Sequence, residues 1–184
     1  MKFFAVIILL AGFSVATYAQ TPTPVVLGIT GHADVQALIT ITSGVPLEFG
    51  NVTPGNVKAI GTANNILHGQ AGGLTETSGS WTVGKGANTQ VTLAFTLPDN
   101  LVNGSYQLPI TFSDYSTTKL GKIGTKDVSL GSTLTPSFVI NSVDYNSEYQ
   151  SSSILVKVGG TVSPIALQAS GSYSAAITLS ATYN

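Results

Sequence analysis

Apolar and polar side chains alternate along much of this chain, most regularly over its end, residues 171–184. Tyr173, Ala175, Ile177, Leu179, Ala181 and Tyr183 take the odd positions; Ser174, Thr178, Ser180 and Thr182 take even ones, with Ala176 the apolar exception. Successive side chains on a strand point to opposite faces, so this period of two predicts one strand with an apolar face and a hydroxyl face. A second alternating run lies near the front: Val25, Leu27, Ile29, Gly31, Ala33, Val35, Ala37, Ile39 and Ile41. It far exceeds an ordinary strand of about 5–6 residues. It is therefore divided into an N-terminal arm over 25–33 and a first body strand over 35–42.

Shorter alternating runs predict strands at 81–83, 91–97, 108–112, 138–140 and 154–158, with a strand edge at 45–53. Turns are expected at Pro54-Gly55, Gly84-Lys85-Gly86 and Gly159-Gly160. Asn103-Gly104 is expected to close a hairpin between the runs ending at Leu97 and beginning at Leu108. Residues 56–80 and 113–134 carry weak patterns and read mainly as loops, the second a solvated face holding Lys119, Lys122 and Lys126. No segment has a helical period. Eight or nine strands separated by turn signals predict an all-β fold, an immunoglobulin-like antiparallel β-sandwich, with a closed barrel as the alternative.

The first nineteen residues change the picture of where the chain works. Lys2 precedes an apolar stretch over 3–11, and small residues Thr17 and Ala19 stand at the −3 and −1 positions before Gln20. This is the build of a secretory signal peptide. The expected organisation is a signal peptide over 1–19, an arm over 20–34 and a β-sandwich domain over 35–184, with the mature chain exported and not inserted in a membrane.

Only 8% of residues are charged, and every basic residue is a lysine. A chain without a basic footprint is not expected to bind nucleic acid. Weak surface charge gives little repulsion between copies, which suits an assembly and equally an ordinary secreted domain. The chain has no cysteine, so an exported fold here rests on its core alone, and a thiol enzyme is excluded. The two histidines, His32 and His68, read as surface residues, and no G-x-S-x-G elbow is present. Asp144, Asn146 and Glu148 alternate like the start of a calcium loop but lack its glycine and distal glutamate, so no metal or cofactor is expected. Trp81 reads as a core residue rather than a sugar platform.

The chain's end resembles the C-terminal signature of chaperone–usher pilus subunits: Gly171 stands fourteenth from the end and Tyr183 is penultimate, with alternating apolar residues between. The wider pattern is similar to secreted β-sandwiches of the spore-coat-protein-U and archaic pilin type. Leu47-x-Phe49-Gly50-x-x-x-Pro54-Gly55 and Gly159-Gly160-Thr161 with Gly171-x-Tyr173 also resemble an uncharacterised group of bacterial exported domains. The resemblance implies an incomplete sandwich, completed by a strand that a periplasmic chaperone supplies first and the next subunit's arm supplies later, at an outer-membrane usher. The donor residues would be Val25, Leu27, Ile29, Gly31 and Ala33. The acceptor strand would carry Gly171, Tyr173, Ile177, Leu179, Ala181 and Tyr183.

The resemblance thus implies a non-enzymatic homopolymer, a pilus-like fibre on a bacterial surface. An arm that folds onto its own domain would instead make a self-complete secreted module for binding carbohydrate or a surface protein. The sequence leaves both arrangements open.

Overall fold

The computed structural model describes residues 38–69, 76–113, 119–131 and 134–184. The chain divides into units 1–34 and 35–184, and the described residues all belong to the second. The expected signal peptide, His32 and the five donor residues of the arm lie outside the described residues.

Among the described residues, thirteen strands and one short helix run in the order β1 (Thr40–Ser43), β2 (Lys58–Ile60), β3 (Ile66–His68), β4 (Gly79–Gly84), β5 (Val91–Thr96), β6 (Asn100–Asn103), β7 (Tyr106–Thr111), β8 (Gly121–Ile123), β9 (Lys126–Val128), β10 (Ser137–Ile140), α1 (Asn146–Gln150), β11 (Ser153–Val158), β12 (Gly160–Val162) and β13 (Thr178–Tyr183). All described pairings are antiparallel. They form three sheets, ordered β1-β4-β11-β8-β9, β10-β5-β13 and β3-β2-β12-β7-β6. The fold is all-β and sandwich-like, as the alternation predicts.

The period of two decides which side chains fill the interior. Val91, Leu93 and Phe95 of β5 are buried, as are Ile154, Val156 and Val158 of β11, while their neighbours in sequence face outward. Trp81 on β4 meets Phe95 edge-to-face at 6.2 Å, and Phe95 meets Phe138 on β10 at 6.1 Å. The first contact joins the first two sheets and the second lies within β10-β5-β13, both in the geometry that aromatic quadrupoles favour.

Gly159 joins the first sheet to the third. It is not the chain reversal the sequence suggests. The strand leaves β11, and one residue later continues as β12 between β2 and β7. Sandwich corners are made by strands that bend from one sheet into another in this way. A β-carbon on Gly159 would collide with the Ile60 carbonyl oxygen, so the close approach requires glycine.

Several expectations are corrected. Asn103-Gly104 does turn a two-residue hairpin, with Gly104 at φ +59°, but the partners are β6 and β7, not β5 and β7. Strand β6 escaped notice because Asn100 and Asn103 dilute its pattern. The stretch expected as a solvated lysine loop contains the β8–β9 hairpin, whose Ile123 and Val128 are buried beside Leu120 and Leu130. Lys85, expected in a turn, is only 4% exposed; its Nζ donates to the Tyr149 carbonyl at 2.8 Å, at the end of α1. Burial lowers its pKa.

Helix α1 was also missed, since a five-residue helix is too short to show a period. Its Glu148 is buried, and Oε1 accepts from the Thr125 amide at 2.8 Å and the Thr125 hydroxyl at 3.0 Å. Burial alone would raise the Glu148 carboxyl; the hydrogen bonds from Thr125 and its own amide, with Lys126 nearby, outweigh it and hold the pKa below the usual range. A carboxylate with a depressed folded-state pKa stabilises the fold above its unfolded value of about 4.3. That contribution is lost as pH falls through the lower, folded value. Acid titration of stability is therefore expected to flatten in Glu148→Gln relative to the unsubstituted protein, read as chemical-denaturation midpoints between pH 6 and 2.

Candidate functional site

A cleft of about 930 Å³ runs along one side of the sandwich. One wall is the edge of the first sheet and the chain beyond it. There β1 pairs with β4, and both Gly44 and Val45 then lie opposite Ser80: the Gly44 amide donates to the Ser80 carbonyl at 2.9 Å, and the Ser80 amide donates to the Val45 carbonyl at 2.8 Å. Two residues opposite one make a β-bulge, which bends the edge strand. The bend falls where the cleft begins, for Ser43, Gly44 and Val45 line it. Pairing resumes at Glu48 and Thr77.

Beyond Glu48 the wall is fixed by two anchors. The Phe49 ring is buried in the core, and Lys58 Nζ donates to the Asn51 carbonyl at 3.0 Å. The same ammonium pairs with Glu76 Oε1 at 2.8 Å, and its side chain is 1% exposed. A buried ion pair gives little net stability but fixes geometry when its partners are satisfied. Here it sets the position of the 49–52 segment.

The other wall is the C-terminal segment. The Ser174 and Val102 amides donate to each other's carbonyls at 3.0 and 2.9 Å, tying this segment to β6; four residues later β13 pairs with β5. The sequence suggests one uninterrupted strand over 171–184. The segment is instead shared between two sheets, and regular pairing with β5 starts only at Thr178. The Asn184 amide donates to the Gln90 carbonyl, so the even residues bond toward β5 and, at Ser174, toward β6. By the alternation of an antiparallel ladder, the amides and carbonyls of Tyr173, Ala175 and Ile177 point the other way. Among the described residues they have no hydrogen-bond partner.

Apolar side chains make the floor: Leu108 and Ile110 of β7, Val158 of β11 and Val162 of β12. β1 and β13 approach one another. Pro54, Pro164 and Gln168 also line the cleft. Gln168 Nε2 donates to the Tyr173 hydroxyl at 2.8 Å, and that hydroxyl donates to the Ala169 carbonyl at 2.7 Å.

The acceptor residues expected from sequence divide into two groups. Gly171, Tyr173 and Ile177 line the cleft. Leu179, Ala181 and Tyr183 lie on β13 beyond it, half-buried against the core. The first wall was the part sequence reasoning missed as a site; the signal was the motif Leu47-x-Phe49-Gly50, whose apolar residues turn inward beside the bulge. Trp81 also lines the cleft, with its ring against Phe95.

The calcium-like triplet does not converge. Asp144 Oδ2 accepts from Asn141 Nδ2 at 3.0 Å, Asn146 Oδ1 accepts from Gln150, and Glu148 turns to Thr125. His68 ends β3 and is exposed. Among the described residues the cleft offers apolar surface and extended backbone without partners, which is chemistry for binding an extended peptide.

No family model, curated protein or solved structure matches the chain.

Proposed function

We propose that the protein is a non-enzymatic, exported structural subunit whose cleft takes up a β-segment from another copy, assembling a pilus-like fibre at a bacterial surface. The observation that carries the reading is the C-terminal wall: an apolar floor lies beside a segment whose Tyr173, Ala175 and Ile177 backbone groups have no hydrogen-bond partner among the described residues. A sheet edge of this kind is an aggregation hazard unless covered. Adding a strand supplies ladder hydrogen bonds and buries apolar side chains in one step.

The segment that fits is the arm. Val25, Leu27, Ile29, Gly31 and Ala33 alternate with Val26, Gly28, Thr30 and His32, so one face of a strand would meet the floor and the other, apolar only at Val26, would face solvent. The immunoglobulin-like, incomplete character of the sandwich belongs to the same proposal. So do a periplasmic chaperone and an outer-membrane usher as assembly partners.

Purified protein lacking residues 1–19 is expected to run as a ladder of species in unheated denaturing gels and to collapse to one band on boiling. A single monomeric band before and after boiling would overturn the proposal.

A further inference from the structure

The C-terminal segment reaches the cleft through a turn pinned to the β6–β7 hairpin at two places. Gln168 Nε2 donates to the Gln107 carbonyl at 3.0 Å, and further along Ser174 and Val102 exchange their amide bonds. Between these anchors the Tyr173 hydroxyl closes the turn on the Ala169 carbonyl. Gly171 lies inside that turn at φ +143°, where L side chains are rarely found. The Asn103 side-chain amide also occupies the space a β-carbon on Gly171 would take. That amide ends a flexible side chain and can yield. The backbone angle is the lasting obstacle, because relieving it means moving the turn.

What the turn delivers is a phase. Ser174 bonds to β6, and Asn184, another even position, bonds to the Gln90 carbonyl just before β5. The two pairings agree in parity although they belong to different sheets. That agreement leaves the amides and carbonyls of Tyr173, Ala175 and Ile177 on one edge, turned away from both partners. A slip of one residue would carry Tyr173 or Ala175 onto Val102, turn the Ser174 groups outward and send the segment's side chains to opposite faces.

We infer that Gly171 is a positioning residue: its positive-φ backbone sets the register of the Val102–Ser174 pairing and so decides which peptide groups the C-terminal wall offers to an occupant of the cleft. Gly171 acts here through Ser174, not through a side chain of its own. The consequence for assembly rests on the proposed strand uptake; the register itself rests on the turn alone.

The test compares protein lacking residues 1–19 with the same protein carrying Gly171→Ala, reading amide hydrogen exchange residue by residue by mass spectrometry. Exchange at Val102 and Ser174 is expected to speed about tenfold in the variant, the size of effect one strained residue produces. Ser180 and Thr182 stand opposite Ala94 and Thr92 of β5, and their exchange is expected to stay unchanged. The protein concentration giving half-maximal polymer is expected to rise about tenfold, since the wall then offers its groups out of register.

Unchanged exchange at Val102 and Ser174 would overturn the role given to Gly171. Equal acceleration at Ser180 and Thr182 would overturn it too, by making Gly171 a support of the whole sheet. So would a local loss of protection with undiminished assembly, since the register would then not matter to the occupant. If the unsubstituted protein fails to assemble, strand uptake is overturned, and exchange at Val102 and Ser174 still decides whether Gly171 sets the register.

Discussion

Deletion of residues 21–33 is expected to abolish assembly while leaving a folded subunit. Among the described residues the core is built from side chains after Val35, Phe95, Leu93, Ile154 and Val156 among them. Loss of the arm leaves the contacts among these side chains in place. What it removes is the segment proposed to cover Tyr173, Ala175 and Ile177 of a neighbour. High-mass species in unheated gels and filaments by electron microscopy are both expected to disappear.

A free peptide of residues 21–33 is expected to bind the deleted protein, and the same peptide with Ile29→Asp to bind at least tenfold more weakly, because a carboxylate would be desolvated against an apolar floor. The peptide's affinity is expected to be modest. Ordering each residue of a free arm costs about 1–2 kcal/mol, which offsets much of the roughly 1.5–3 kcal/mol from burying each large apolar side chain. Durability of an assembled fibre would then rest on slow release rather than on equilibrium affinity.

The largest expected effect on the fold itself belongs to Gly159→Ala. The added methyl would strike the Ile60 carbonyl oxygen, a backbone atom of β2, which pairs with β12 at that level through Gly160 and Ile60. Backbone on both sides is held by a ladder, so neither strand yields without losing hydrogen bonds. Overpacking in a rigid interior costs about 1–3 kcal/mol, and the lost pairing adds to it. Thermal unfolding of the variant is expected well below that of the unsubstituted protein. An unchanged midpoint would mean that the crossing from β11 to β12 is looser than described. Gly104→Ala is the natural comparison: its φ of +59° strains an alanine backbone, but nothing lies within 4 Å of the position a β-carbon would take.

The strands with a strict period of two were legible in sequence because their faces are unequal. In β5, Val91, Leu93 and Phe95 are buried while Thr92, Ala94 and Thr96 are more open, and in β11 the same holds around Ile154, Val156 and Val158. Where that inequality fails, the pattern fails too. All three residues of β2 are buried, Lys58 included, because its ammonium is satisfied by Glu76 and Asn51. All four residues of β1 are exposed at the sheet edge. Neither alternates in burial.

Strands of three residues, such as β8 and β9, are too short for a period to emerge. Half of the cleft was legible as well. Tyr173 and Ile177 belong to the alternating end, whereas the bulge at Gly44 and Val45 depends on what lies opposite Ser80. Such a two-against-one pairing exists only between strands.

The most direct test of strand donation uses the absence of cysteine in this chain. Ala175→Cys places one thiol on the C-terminal wall, and a second protein carries Leu27→Cys, Ile29→Cys or Gly31→Cys in the arm. Neighbouring strands bring opposed residues within disulfide reach. The two singly substituted proteins, distinguished by an isotopic mass label, are mixed, allowed to assemble and oxidised. The account predicts a disulfide between the two proteins for at least one arm position, found by mass spectrometry in the polymer. A bond that forms only within single molecules carrying both substitutions, with the protein remaining monomeric, would contradict it.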